Sequence, residues 1–481
     1  MAKKIAIVGA GVGGLATAAR LSSRGHQVEV YEKLPECGGR AHIIEDRGFK
    51  FDTGPSFVLM PDFFEELFSS CGKNLSDYLD LQALDTSYKI FYGDGITLSV
   101  YRDSERTKEE LERIEQGSAK AYDAFLKDTA QVYRDVKPLL YKCFTKKSII
   151  NPAYWRLLLT LRPQESYWKK SNNFFKTDKL NYAFTFEAMF IGVSPFEAPG
   201  FYSIITYADH VQKIYHPVGG MYKIPLAIEK LAREYGTIFQ YGTPVQSIAP
   251  HNGTITLATS QGMDSADAVV VNADYAYAQG DLLKRTVPQF SYSCSVYLIY
   301  LGLKQKLKGL EHHNLFLAGD VRENLKQIFT YKQLPDDFSF YIHIPTATDQ
   351  SLAPAGKEIV YILVPVPNMH NNNWSFAESE DRIRNAVFNR IRKDSGIDVL
   401  PLAEVEHRFF PQDFTTRYNV PYGATFGLSH SLFQSAFFRP SNRDAAIKNL
   451  YYVGASTQPG GGLPPVIASS RIVSDLIAHK T

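Results

Sequence analysis

At 481 residues the chain is longer than one hydrophobic core supports, so two or three packed lobes are expected. Hydrophobic content of 44% and charged content of 21% are those of an ordinary globular protein, and a formal charge of +2 leaves no basic excess to hold nucleic acid. The four cysteines (Cys37, Cys71, Cys143, Cys294) form no CxxC pair, and neither an HExxH nor a His–Cys cluster is present, so no disulfide framework and no metal are expected.

Ile5-Ala6-Ile7-Val8 is a short apolar run, followed by Gly9-Ala10-Gly11-Val12-Gly13-Gly14 and a helix of small residues through Ala16, Ala18, Ala19 and Leu21. A second strand, Val28-Glu29-Val30-Tyr31, ends on Glu32 and Lys33. Strand, glycine turn, helix, strand and acid in this order bind the adenosine and pyrophosphate of a dinucleotide. Gly9 turns the chain out of the strand, Gly11 leaves bare backbone for the pyrophosphate, and Gly14 lets the helix approach the strand. The first amides of the helix then face the phosphates. Glu32 lies 18 residues beyond Gly14, where a carboxylate accepts both ribose hydroxyls and repels a 2′-phosphate, which argues against NADP. Lys3-Lys4 and Ala16-Thr17-Ala18 imitate a signal peptide, but the glycine positions and Glu32 account for the same residues.

Glu36-Cys37-Gly38-Gly39-Arg40 follows directly, and then Phe51-Asp52-Thr53-Gly54-Pro55-Ser56. An amphipathic helix is expected over Asp62–Ser69, with Phe63, Phe64, Leu67 and Phe68 on one side. Paired strands from about Tyr88 to Tyr101 turn at Gly93-Asp94-Gly95, and the polar stretch from Ser104 opens a long helical region. Lys137 to Lys179 interleaves aromatic and aliphatic groups such as Tyr154, Trp155 and Trp168 with lysines and arginines. That pattern suits a surface dipping into a bilayer interface, and equally a helical cap with a solvated basic face. No apolar run reaches the ~18 residues needed to span a bilayer, so no transmembrane segment is expected.

Tyr215-His216-Pro217-Val218-Gly219-Gly220-Met221 precedes a helix over Ile224–Tyr235, a strand at Thr243–Ile248 and a buried central strand at Asp267–Asp274. From Ser291 to about Phe433, alternations at Ser295–Leu303, Phe338–Ile344 and Ile359–Val366 predict an antiparallel sheet, interrupted by a helix over Glu378–Arg392. Pro365-Val366-Pro367 predicts that the last of these strands ends at an edge. The C-terminus reads as a strand from Asn449 running into Gly454-Ala455-Ser456-Thr457-Gln458, a loop Pro459–Val466 and a helix Val466–His479. Free amides at that helix start would stabilise negative charge on a neighbouring group.

The Gly-Gly-Arg turn and the Asp-Thr-Gly-Pro segment resemble the flavoprotein superfamily that includes amine oxidases, protoporphyrinogen oxidase and carotenoid desaturases, and this resemblance moves the cofactor from NAD to FAD. Together with Pro217-Val218-Gly219-Gly220-Met221 and the terminal Gly-Ala-Ser-Thr-Gln-Pro-Gly-Gly-Gly, the whole chain resembles a bacterial-type phytoene desaturase. The resemblance implies an α/β fold: a Rossmann-like, GR2-type FAD-binding domain built from residues 1–75, 215–290 and 435–481, with a parallel sheet. A substrate-binding domain from 76–214 and 291–434 would carry the antiparallel sheet, with 137–180 as its helical, membrane-facing cap. In the cofactor site it places Gly9 to Gly14, Glu32, Lys33, Gly39 and Arg40 at the nucleotide. Gly54, Pro55 and Ser56 lie near the flavin, Val245 near the adenine, and Asn272, Gly454, Ala455, Gly462, Pro465 and Val466 complete it.

The reaction implied is removal of hydrogen from a carotenoid polyene held in an apolar tunnel, by hydride transfer to flavin N5, giving a conjugated C=C bond. Oxygen or a quinone would take the electrons, and the protein would sit peripherally on the cytoplasmic side of a membrane. Three departures bear on the substrate. Asn181 stands where these desaturases tend to have arginine, Gln458 replaces a usual histidine, and Pro464-Pro465 is unusual. These point to a polyene other than phytoene, such as the hydroxylated substrates of 1-hydroxycarotenoid 3,4-desaturases. No catalytic base is assigned; Glu187, His216 and Gln458 are candidate polar contacts near the reacting end, each with a structural reading as a satisfied buried group. A carotenoid isomerase or oxygenase on the same fold is the enzymatic alternative. A prenyl-binding protein like the Rab escort and GDP-dissociation-inhibitor proteins is the non-enzymatic one, against which the intact Gly-Gly-Arg and terminal glycine loop argue.

Overall fold

Short β-branched runs that are buried on both faces form the interior strands of a parallel sheet, and Ile5–Val8 and Ala268–Val271 are two such runs lying side by side. The computed structural model describes residues 2–145, 148, 151, 161–370 and 374–478. In it, strands Leu450–Tyr452, Ala268–Val271, Lys4–Val8, Gln27–Tyr31 and Ile238–Gln240 pair in that order, all parallel. Helix Val12–Ser23 covers this sheet and packs against helices Lys223–Glu234 and Leu463–Ala478, so the chain's two ends meet. Its alanines make that close packing possible. Its one long polar side chain, Arg20, is buried and forks onto Glu66 (Nη1–Oε1 3.1 Å) and Ser470 (3.0 Å).

A second sheet runs in the order Ala403–Phe409, Ser295–Leu303, Glu358–Val366, Phe340–His343, His313–Phe316, Thr86–Phe91 and Thr97–Tyr101. It is antiparallel except where His313–Phe316 pairs in parallel with Thr86–Phe91. The expected antiparallel sheet is present, with this one parallel pair added. The 86–101 hairpin enters from a distant part of the chain, so no tight turn dictates its direction. The expected edge at Pro365 is corrected: Glu358–Val366 is interior, paired on both sides. Pro365 is accommodated because pairing with Phe340–His343 already ends at Leu363.

Most expected helices are present with shifted ends: Pro61–Ser70, Lys223–Glu234 and Phe376–Ser395. The long helical region after Ser104 is two helices, Ser104–Ile114 and Ser118–Val136, separated at Gly117, whose φ of 85° is left-handed. The C-terminal helix begins at Leu463 rather than Val466, because Pro464 and Pro465 fall in a first turn where no amide donor is required. The basic aromatic stretch Lys137–Lys179 lies partly outside the described residues. Among the described residues, no helix is long and apolar enough to cross a membrane.

Candidate cofactor and substrate site

The turn from Gly9 to Gly14 is shaped by steric exclusion. A Cβ on Gly14 would lie 2.1 Å from the carbonyl oxygen of Gly9, and one on Gly11 or Gly13 would lie 2.8 or 2.6 Å from the Asn272 side chain. Asn272 closes the turn from the neighbouring strand, its Nδ2 3.3 Å from Gly9 O. Gly11 caps the helix without any side-chain hydrogen bond, so the first-turn amides of Val12–Ser23 remain available to an anion. Glu32 ends the adjacent strand, where Oε2 accepts the Ala10 amide at 2.7 Å and Oε1 the Leu34 amide at 2.9 Å. Burial pushes its carboxyl above the ordinary range, and the amides of Leu34 and Ala10 oppose that shift.

The Gly-Gly-Arg turn meets the first glycine turn through backbone, Gly38 N donating to Ala10 O at 2.9 Å, and meets the Asp-Thr-Gly-Pro segment just as closely. A Cβ at Gly54 would stand 1.9 Å from Arg40 O, and Gly38, at φ 110°, has room for none, with Ala41 O 2.2 Å away. Arg40 donates from Nη1 to Thr425 O at 2.8 Å. Asp52, two residues before Gly54, accepts the amides of Met221 (2.8 Å) and Tyr222 (2.9 Å), fastening the Gly-Gly-Met element at the start of helix Lys223–Glu234. Burial raises its carboxyl to about 6.

At the C-terminal end, the glycine loop 459–462 is held from the other half of the chain. His430 lies against it, with Nε2 2.9 Å from the Gly461 amide and Nδ1 3.1 Å from Ile191 O. A carbonyl can only accept and an amide can only donate, so the proton sits on Nδ1 and the ring is neutral. Burial, with Arg439 nearby, holds its pKa well below the ordinary imidazole range. Folded-state protonation is therefore disfavoured, and its stabilising effect is full above the unfolded pKa of about 6.5 and lost as pH falls below it. The unfolding free energy of wild type minus that of His430→Asn should be constant above about pH 6.5 and shrink by about 1.4 kcal/mol per pH unit below it. Urea titrations across that range measure it.

These segments line one continuous cavity of about 560 Å³. Every residue assigned to the cofactor from sequence lines it except Ala10 and Gly14, which act from behind: Ala10 holds Glu32, and Gly14 lets the helix seat on the strand. The bare glycine cradle, the free helix amides and the buried acid fit the pyrophosphate and ribose of FAD. Beyond them the cavity turns apolar, walled by Met189, Phe190, Ile204, Leu315, Val321 and Leu325.

Glu187, His216 and Gln458 do not line it. The amide of Gln458 accepts from Phe144 N (2.7 Å) and donates to Arg439 O (3.2 Å). Glu187 takes a hydrogen bond from Tyr167, and burial together with Asp209 pushes its carboxyl well above the ordinary range. Asn181 ties the segment 171–177 through Ser171, Phe175 O and Thr177 O. Sequence reasoning missed Arg439, His430 and the Arg417–Asn419 corner, where Asn419 accepts from Lys33 Nζ at 2.9 Å. None of these stands in a local pattern that signals a ligand.

A parallel sheet whose central glycine turn leaves bare backbone and free amides for a dinucleotide, lining one cavity with a C-terminal glycine loop and apolar walls under a second sheet, fits a flavin-dependent oxidoreductase of the amine-oxidase fold. The profile of the flavin-containing amine oxidoreductases matches residues 12–478. An oxidoreductase from Methanosarcina mazei shares the fold with a TM-score of 0.63 at 16% identity, over 99% of this chain and 100% of that one. The zeta-carotene-forming phytoene desaturase of Myxococcus xanthus is 38% identical, over 98% of this chain and 93% of its own length. The carotenoid 3,4-desaturase of Haloarcula japonica is 32% identical, over 98% and 97%. The chain belongs to the flavin-containing amine oxidoreductase family, within its branch of carotenoid and phytoene desaturases.

Proposed function

We propose that this FAD-dependent carotenoid desaturase acts on a long acyclic polyene bearing a hydroxyl-type end group. The observation that carries the end group is Asn324. It lines the apolar part of the cavity among Leu317, Val321 and Leu325, its Nδ2 donates to Asp337 O at 2.7 Å, and its Oδ1 is buried without a partner. A buried acceptor left unmatched costs about 1–3 kcal/mol, and a substrate hydroxyl would relieve it. FAD, when bound, supplies the two-electron acceptor. The chain's own part is to hold the polyene in register and to exclude water, which the Met189, Phe190, Ile204 and Leu315 walls do. Glu187 and His216 lie outside the cavity, which supports positioning rather than a dedicated carboxylate or imidazole base as the main contribution.

The test is a panel of acyclic carotenoids with and without a terminal hydroxyl, read by product mass. Desaturation lowers the mass by two hydrogens, isomerisation leaves it unchanged, and oxygen insertion raises it. Asn324→Leu should lower kcat/KM for hydroxylated substrates about 10- to 100-fold while leaving unsubstituted ones nearly unchanged. Equal loss on both would remove the proposed end-group recognition.

Peripheral attachment to the cytoplasmic face of a membrane is supported by the surface at Phe433 and Phe438. These side chains are 75% and 56% exposed, 5.9 Å apart between ring centres, and close in sequence to Phe437, which packs on Phe144. Phe433→Ser/Phe438→Ser should reduce co-sedimentation with anionic vesicles several-fold. A membrane quinone or oxygen would then receive the electrons, and anaerobic reoxidation with a quinone distinguishes the two.

A further inference from the structure

We propose that His216, His312 and His343 form a binding site for one divalent transition-metal ion of the zinc type, separate from the FAD cavity, with Asp349 beside His216. Among the described residues, one ring nitrogen from each of the three histidines falls within 4.8 Å of the others. The rings are buried, with exposures of 0, 4 and 2%. His312 and His343 hold their Nε2 atoms 3.0 Å apart, and His216 Nε2 stands 3.6 Å from Asp349 Oδ2. A tetrahedral ion with metal–nitrogen bonds of about 2.0–2.1 Å sets its ligand atoms about 3.3 Å apart, close to the His312–His343 spacing.

An imidazole pair joined by an ordinary hydrogen bond accounts for His312 and His343. It does not account for His216, which is wholly buried, with Nδ1 lacking a hydrogen-bond partner and Nε2 3.6 Å from Asp349 Oδ2, longer than an ordinary hydrogen bond. Such a group costs about 1–3 kcal/mol left unmatched, and coordination would satisfy it. The surroundings are built for ligation. His312 Nδ1 lies 2.7 Å from Thr348 Oγ1, which orients the ring and leaves Nε2 to face inward. Asp349 is fixed by the amides of Gly219 (2.6 Å) and Ser351 (2.9 Å).

Three imidazoles suit a borderline divalent ion, and in a site this buried the ion's role is to fasten structure. It would join strand Tyr215–Pro217, which carries the Gly-Gly-Met element, to the second sheet. The other buried cluster, Glu187, Asp209 and His210, differs: both ring nitrogens of His210 are taken by Tyr88 (2.9 Å) and Tyr122 (3.0 Å).

The experiment uses FAD-loaded full-length protein purified without a histidine tag. Metal content by plasma mass spectrometry, before and after dialysis against zinc, cobalt(II) or iron(II), should reach one ion per chain. Cobalt loading should give the intense visible bands of tetrahedral coordination. A chelator should lower the thermal midpoint of wild type but not of His216→Asn or His343→Gln, and both variants should lose the ion. Substoichiometric metal after loading with every ion overturns the proposal, as does a full equivalent retained by both variants. If the variants fail to fold, the cobalt spectrum of wild type decides alone: weak octahedral bands overturn it.

Discussion

Alanine at Gly14 should leave the chain unable to retain FAD. The added Cβ would lie 2.1 Å from the carbonyl oxygen of Gly9, a backbone atom that cannot rotate away, and 3.3 Å from the Asn272 side chain. Helix Val12–Ser23 must then lift from strand Lys4–Val8. Its first-turn amides move with it, and so does the Ala10 amide that holds Glu32. Overpacking of this kind costs about 3 kcal/mol, and because the displaced amides are the uncapped ones open to a pyrophosphate, FAD affinity should fall by about 100-fold or more. Flavin absorbance retained through gel filtration, with the dissociation constant from fluorescence titration, measures it. Gly25→Ala is the control. Gly25 is left-handed at φ 84° with nothing within 4 Å of a built Cβ, so it should cost about 1 kcal/mol and keep FAD. Equal FAD affinity in the two variants would remove the steric argument.

The nucleotide cradle was legible because its constraints are local. Gly9, Gly11, Gly14 and Glu32 lie within one strand–helix–strand unit: Gly9 is left-handed at φ 100°, Gly14 faces the Gly9 carbonyl and Glu32 holds the Ala10 amide, while Gly11 also answers to the distant Asn272. Other signals could be read as motifs but not connected. The Asp-Thr-Gly-Pro and Gly-Gly-Met elements stood as separate marks until Asp52 was found accepting the amides of Met221 and Tyr222, with Gly220 left-handed at φ 94° beside its carboxylate. What composition and periodicity could not reveal is the set of contacts between distant segments. The parallel pairing of Thr86–Phe91 with His313–Phe316 spans more than half the sheet's sequence range and leaves no periodic trace. Gln458 showed a polar residue beside a glycine loop, and only the fold reveals that its amide is saturated by the 144 and 439 backbones. The gathering of His216 with His312 and His343 is of the same kind, since no ligand spacing connects them along the chain.

Removal of the Arg439 side chain's donors, as in Arg439→Met, should be the most damaging single change away from the glycine turn. The guanidinium is 2% exposed, and all of its N–H groups are engaged by main-chain carbonyls. Nε donates to Thr457 O (3.1 Å), Nη1 to Ser429 O (3.2 Å) and Gln434 O (2.9 Å), and Nη2 to Leu428 O (3.3 Å) and Ala455 O (2.6 Å). Burial lowers its pKa to about 10, so it remains charged at neutral pH. One cation thus joins segment 455–457, which leads into the C-terminal glycine loop, to the 428–434 corner that carries His430. Methionine fills similar volume but takes the guanidinium donors from five carbonyls, of which, among the described residues, Ser429 O alone keeps a side-chain donor, Gln434 Nε2 at 3.3 Å; because the losses are not additive the expected destabilisation is about 3–5 kcal/mol. Lysine, with three donors on a point charge and no planar fork, should recover only part of this. The same variant should loosen the Gly461 contact to His430, so FAD retention should fall together with the urea midpoint. A methionine variant that keeps both would mean that the carbonyls find water or other donors, and that Arg439 does not hold the C-terminal loop in place.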